Sequence, residues 1–233
     1  GHEHAAKHVQ SYQKGGVPIG WSVAKSPDVS EKEGLELLVT GMHRLVSAGV
    51  DFIEMNESCP NTKETAGKLY DRLAHVRNEF LMDRARYVPV IVKFSNDTPV
   101  GEVPRLLDTL FELGYDGVNF GNTSTNYADL RRSIAPRERK LYDFFIEHFG
   151  GGVSGTPLRE KSLLLARAAA HYLRNGPPAQ EFHIIRTGGI SSAQDLRDSD
   201  TCGASLNQWF TGYFEQFAAH GHGAYKQLYR ERL

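Results

Sequence analysis

In the stretch IEMNESCPNT, residues 53–62, an apolar run ends in Asn56, Ser58, Cys59 and Asn61. Asn carboxamides offer a donor and an acceptor, matching the alternating N–H and C=O edge of a cyclic amide or imide. A thiol whose pKa is lowered can abstract a proton. The same residues before Pro60 also make a well-bonded Asx turn that needs no ligand, and both readings stand at this point. Lys93 closes a second apolar run, VPVIVKFS. Its ammonium either reaches water along the side-chain stem or sets a fixed positive charge against an anion or an electron-rich ring. Three further stretches, GGGVSG (150–155), TGGISS (187–192) and FTGYF (210–214), carry glycines that let backbone N–H groups approach a ligand closely.

These groups need elements to hold them. Residues His2 to Lys14 carry Ala5, Ala6, Val9 and Tyr12 on one helical face, and Gly15 and Gly16 end the pattern. VPIGWSVAK then precedes a helix in which Leu35, Leu38, Val39, Met42, Leu45 and Val46 repeat at helical spacing. The unit recurs. VDFIEMN precedes a helix around Gly67–Asp83, VPVIVKFS one around Val100–Leu113, and YDGVNFGNT a polar stretch from Ser124 to Arg139. GGGVSGTPL leads to a helix through Ser162–Leu173, FHIIRTGGI to one at Ala193–Arg197, and GASLNQWFTG to a final helix near Phe214–Arg230. Strands alternating with helices mean a parallel sheet with right-handed crossovers, either open and doubly wound or closed as a (β/α)8 TIM barrel. Asn56–Asn61, Lys93, Asn122–Ser124, Gly188–Gly189 and Thr211–Gly212 all fall at the carboxyl ends of different strands, which favours an α/β barrel. Six strands are visible where a closed barrel has eight. In such barrels the loops after the last two strands hold phosphate, so Gly188, Gly189, Thr211 and Gly212 suit flavin mononucleotide (FMN) with its ring near Lys93 and Asn56.

Composition narrows the classes. The 233 residues, 40% of them hydrophobic, suit one domain, 1–233, and the net charge of −1 with interspersed signs argues against nucleic acid as a partner. Two cysteines form neither a metal pattern nor a disulfide framework, and a reducing, cytoplasmic compartment is expected. The opening residues lack the apolar centre of a signal peptide. His2, His4 and His8 straddle a helix start at poor ligand spacing, so no metal is expected. Cys202 reads as a packed small hydrophobe, and Trp209 and Phe210 as core, with Phe210 reaching the flavin edge.

NESCPNT, PVIVKFS, GVNFGNTST, GGVSGTPL, TGGISSAQD and GASLNQWFTG stand in the order and spacing of the dihydroorotate dehydrogenase family, and the chain resembles it from Val17 to about Gly221. The resemblance implies an FMN-dependent barrel that oxidises dihydroorotate to orotate in pyrimidine biosynthesis. It implies Cys59 as the base and Asn56, Asn61, Asn122 and Thr123 as residues that hold the pyrimidine ring and its carboxylate. Lys93 matches a flavin-contacting lysine. Gly152, Gly155, Gly188, Gly189, Phe210, Thr211 and Gly212 match the loops around the FMN ribityl phosphate.

Two departures concern the flavin contacts: Ser22 stands where many members have Asn, and Gly121 where Thr is common before the Asn–Thr pair. Cysteine at the base position is typical of the soluble class, whereas GNTST resembles the membrane-class NTT, which leaves quinone, fumarate or NAD open as electron acceptor. The resemblance also implies two strand–helix units before Gly1, so the chain is expected to be the C-terminal portion of a barrel. A six-strand sheet with exposed edges is expected to fold poorly and hold FMN weakly. Peripheral membrane association through a preceding segment, and a homodimer, are compatible with this reading. Other FMN-dependent oxidoreductases of cyclic amides share SCP in the base loop, and a flavin-free phosphate-binding barrel, lyase or isomerase, or a non-catalytic fragment, are the competing readings.

Overall fold

The computed structural model describes residues 1–12, 15–57, 66–176 and 178–232. Six strands are built by the six apolar runs: β1 (Gly20–Val23), β2 (Phe52–Asn56), β3 (Val90–Phe94), β4 (Gly117–Phe120), β5 (His183–Thr187) and β6 (Leu206–Gln208). All pair in parallel, each with the next in sequence. The helices are α1 (His2–Ser11), α2 (Glu31–Ala48), α3 (Ala66–Val76), α4 (Val103–Glu112), α5 (Tyr127–Leu130), α6 (Arg139–Phe149), α7 (Arg159–Asn175), α8 (Ala193–Cys202), α9 (Thr211–His220) and α10 (Ala224–Arg232). None among the described residues is long and apolar enough to cross a membrane.

A sequential strand order has no topological switch point, so the sheet is one that curls rather than one wound in two directions. Side chains prove the curl. Gln208 on β6 donates from Nε2 to the Glu54 carboxylate on β2 at 2.7 Å, although three strands lie between them. Only a sheet rolled about its strand axes brings those positions together, and the result is six-eighths of a (β/α)8 barrel wall.

Alternate strand residues point to opposite faces. Ile53, Met55, Val90, Val92, Val118, Phe120 and Ile184 face outward into one core with Met42 and Leu45 of α2, Leu106 and Leu110 of α4, and Leu165 and Ala169 of α7. Helix ends are set locally. The Ser30 hydroxyl accepts from the Glu33 N–H at the start of α2, and Ser192 with Asp195 forms a capping box at the start of α8.

Three sequence expectations change. The first helix stops at Ser11, short of Lys14. The polar stretch after β4 yields α5 and short 3-10 turns and is followed by an unanticipated helix, α6, in which Leu141, Phe144, Phe145 and Phe149 recur at helical spacing and form an exposed apolar face. The final helix is two helices, interrupted at Gly221–Gly223, where Gly221 takes a φ of 55°.

Candidate active site

At the carboxyl end of the barrel wall lies a cavity of about 320 Å³, lined by Lys93 from β3, Asn122 and Thr123 after β4, Gly155, then Gly188 and Gly189 after β5, and Phe210, Thr211 and Gly212 at the start of α9. Residues spread over 120 positions of sequence thus meet around one space, because parallel strands all deliver their loops to the same end. The volume lies at the low end of small-molecule sites, roughly 300 to 1,000 Å³.

Below the cavity, the inward strand positions form a closed polar network. The Glu54 carboxylate accepts from Ser22 Oγ at 3.0 Å, Lys93 Nζ at 3.1 Å, Asn119 Nδ2 at 2.7 Å and Gln208 Nε2 at 2.7 Å. Gln208 Oε1 in turn accepts from Lys93 at 3.2 Å, Asn119 at 2.9 Å and Thr187 Oγ1 at 3.1 Å. Thr187 Oγ1 also lies 2.9 Å from Asn119 Oδ1, so its single proton is shared between the two amide oxygens. All six strands contribute one residue each, β1 through Ser22. Lys93 uses two ammonium protons within the network, so among the described residues a third donor is left for the cavity.

The loops above are cross-tied. Ser95, Asn96 and Asp97, directly after β3, hold the loop after β4: Ser95 Oγ donates to the Thr123 carbonyl at 3.2 Å, and Asn96 Nδ2 to the Asn122 carbonyl at 2.5 Å. Asp97 accepts from Ser124 Oγ at 2.5 Å and the Thr125 N–H at 2.7 Å. Ser124 pairs with Val153 in an antiparallel bridge, and Ser154 Oγ meets Thr211 Oγ1 at 2.8 Å, which ties the loop of Gly152 and Gly155 to α9. The loop after β5 is fixed by Asp195, which accepts from the Ser191 and Ser192 N–H groups and pairs with Arg159 at 2.8 Å. Gly189 has to be glycine here. Its φ is 76°, and a Cβ would stand 2.4 Å from the Arg159 backbone.

Two helix starts flank this loop and differ. The first turn of α8 already receives the Ser192 hydroxyl, with Asp195 closing the capping box. Among the described residues the first turn of α9 has no side-chain cap, and its Thr211 and Gly212 line the cavity. Uncapped N–H groups and the helix dipole there suit an anion such as phosphate.

Other expected residues sit around this space in distinct ways. Asn56, at the end of β2, accepts from Asn122 Nδ2 at 3.3 Å, which joins the two carboxamides. Ser22 stands back from the cavity: its hydroxyl bonds Glu54, which in turn holds the lining residue Lys93. Gly121 does not line it: a Cβ there would lie 1.5 Å from the Thr187 carbonyl oxygen, so the glycine serves the close approach of β4 and β5. Gly152 backs onto Thr123, where a Cβ would meet the hydroxyl at 1.9 Å. Phe210 lines the cavity but is 70% exposed, so it is not core, while Trp209 packs partly buried against Ile190, Ala193, Leu196 and Leu228. Cys202 is buried, its thiol donating to the Ser199 carbonyl. Cys59 and Asn61, with Ser58, lie outside the described residues.

The residue before that loop is described. The Glu57 N–H donates to the Lys93 carbonyl at 2.9 Å, and its carboxylate accepts two bonds from Arg72, at 2.7 and 3.1 Å. Burial pushes the Glu57 carboxyl up from its ordinary range, against the pull of Arg72. Behind the loop after β5, the fully buried Arg186 donates to Ser162 Oγ, Ser199 Oγ and the carbonyls of Asp195 and Arg159, and burial draws its pKa down.

Sequence reasoning missed Glu54, Asn119, Thr187 and Gln208. The signal was present in IEMN, GVNF and LNQ, because a strand covered on both faces reads as continuous apolar residues and any polar interruption is an anomaly.

The sequence profile of the dihydroorotate dehydrogenase family matches residues 1–223. Among curated relatives, the dihydroorotate dehydrogenase (quinone) of Clavibacter michiganensis subsp. michiganensis is 32% identical over 196 residues, covering 84% of this chain and 53% of the relative. That of Saccharophagus degradans is 29% identical over 221 residues, covering 91% and 60%. Among solved structures, ligand-free DHODH of Eimeria tenella superposes with a TM-score of 0.74 at 20% identity, over 99% of this chain and 64% of that one. Its complex with ferulenol gives 0.73 at 19% identity, over 99% and 61%. At that identity the likeness concerns the fold, and the chain spans only a little over half the length of the relatives it matches. With the profile covering nearly all of its residues, the chain belongs to the dihydroorotate dehydrogenase family.

Proposed function

We propose that this chain serves the FMN-dependent oxidation of dihydroorotate to orotate in de novo pyrimidine biosynthesis. The observation that carries the reading is the gathering of Lys93, Asn122, Thr123 and the glycine loops around one cavity at the carboxyl ends of the strands. The donor set fits FMN: an uncapped helix start and the backbone of Gly188 and Gly189 suit its phosphate, and Lys93 offers a cation beside the ring. FMN, when bound, supplies the acceptor for a hydride.

The chain's own residues do the rest. Asn122 and Asn56, joined to each other, present carboxamides to the pyrimidine edge, and the ties from Ser95, Asn96 and Asp97 hold Asn122 and Thr123 in alignment before the substrate arrives. Asn61 adds a contact to the ring and its carboxylate. Cys59 takes the proton from one ring carbon as the hydride leaves its neighbour, so the substrate loses two electrons and two hydrogens and gains a C=C bond. The Glu57–Arg72 pair anchors the start of the Cys59 loop. Lys93 stabilises negative charge that develops on the cofactor side. Quinone, which the names of the relatives specify, is the electron acceptor proposed, which calls for peripheral membrane contact, and a cytoplasmic location is proposed with it.

Anaerobic absorbance of the flavin-loaded protein before and after dihydroorotate tests this. Bleaching in the unmodified chain that is lost in Cys59→Ala at neutral pH is the expected result; a yellow protein that dihydroorotate leaves unchanged would refute the substrate.

A further inference from the structure

Glu54 is 3% exposed, and all of the roughly four lone-pair sites of its carboxylate face a donor: Ser22, Lys93, Asn119 and Gln208. Below the residues that bind it, the inward face turns apolar. Two residues earlier on the same inward face stand Ile91 on β3 and Ile185 on β5, so an apolar filling is what this barrel uses where nothing else is required. Asn119 and Thr187 are therefore placed for Glu54 and Gln208, and those two in turn hold Lys93.

We infer that Glu54 is a positioning residue for Lys93 and sets how strongly its ammonium favours a reduced over an oxidised flavin. The inference rests on the reading above, in which Lys93 faces bound FMN. A lysine stem is flexible, and its head would otherwise wander between cavity and solvent. Two acceptors, Glu54 and Gln208, fix it at the top of the polar layer. The carboxylate also cancels most of the field that a bare ammonium would project into the cavity, leaving a dipole in place of a full charge. Reduction places negative charge on the pyrimidine side of a flavin, so an unmasked cation would stabilise the reduced form further. Glu54 keeps that preference moderate, which lets electrons leave for the acceptor.

The test measures FMN dissociation constants in both oxidation states, and the potential of the bound flavin, in the full chain and four variants. Glu54→Gln removes the charge and keeps the shape; it should raise the preference for reduced over oxidised FMN about tenfold, ~30 mV for a two-electron couple. Gln208→Lys leaves the same net charge by adding a cation and should shift in the same direction. The effect of Glu54→Gln should vanish on a Lys93→Gln background, since a double-mutant cycle isolates the pair. An FMN-bound Glu54→Gln with unchanged potential, or an equal shift with and without Lys93, would overturn the inference while leaving the functional reading intact. Should Glu54→Gln not fold, an unchanged potential in Gln208→Lys overturns it equally. A wild-type chain that takes up no FMN would refute the functional reading itself, and the inference with it, before any variant is compared.

Discussion

On β2, Ile53 and Met55 turn outward and are fully buried among helix residues, while Glu54 between them turns inward to a network spanning the barrel. The contrast holds along the wall. Val90 and Val92 face out where Lys93 faces in, and Val118 and Phe120 face out where Asn119 faces in. The outer face is sealed by area: each apolar side chain gains on the order of 1.5 to 3 kcal/mol from leaving water, with little demand on geometry. The inner face is specified by direction, since a buried donor or acceptor left without a partner costs about 1 to 3 kcal/mol. One set of strands therefore makes a tolerant scaffold on one side and an exacting site on the other.

Arg186 is the exception on the outer face, and it offers the largest test of the contrast. Arg186→Ala removes donors to two hydroxyls and two carbonyls and leaves a cavity behind β5, so a loss of about 4 kcal/mol in urea unfolding is expected. A loss below 1 kcal/mol would mean that the outer face tolerates polar deletion as it tolerates apolar change. Met55→Ala comes next, with an expected cost of about 3 kcal/mol and FMN affinity unchanged within about twofold. If affinity fell in step with stability, the two faces would not be separable.

Smaller effects belong to the strand ends, where the inner face becomes loop. Asp97→Ala should cost only about 1 kcal/mol, because Asp97 is exposed, yet weaken orotate binding about tenfold by freeing the loop of Asn122 and Thr123. Isothermal titration with orotate checks it. The smallest effect is in pH. Burial raises the Glu57 carboxyl, so the folded state holds its proton more tightly than the unfolded chain. The stabilisation is present below the ordinary value of 4.5 and is lost as pH rises from there through the raised folded value. Glu57→Gln should flatten that slope in denaturation midpoints taken just above pH 4.5. A second, exposed pair works oppositely: Arg131 lowers the Asp143 carboxyl, whose contribution is present above its ordinary 3.8 and fades as pH falls below it.

Much of this is legible in the sequence. The runs ending in Asn56, Lys93 and Asn122 read as strand ends, and TGGISS and FTGYF as close-approach loops, because periodicity and glycine placement are local properties. Glu54, Asn119, Thr187 and Gln208 were not read as a group, since no local rule relates positions 54 and 208. Phe210 looked like core by type, but at the start of α9 its ring meets Phe214 edge to face and otherwise stands exposed. α6 does carry a local signal, with Leu141, Phe144, Phe145 and Phe149 at helical spacing, and what the sequence does not tell is that this apolar face stands exposed.

The sequence by itself determined the alternation of strand and helix, the parallel order and the end of the wall at which polar residues collect, all consequences of short-range pattern and chirality. Only the tertiary structure decided that the wall curls enough for Gln208 to reach Glu54, that Lys93 is held by a carboxylate rather than left to water, and that the start of α9 opens into the cavity while the start of α8 is capped. Those outcomes depend on strand stagger and on which side chains arrive at one place, and that information exists only once the chain is closed on itself.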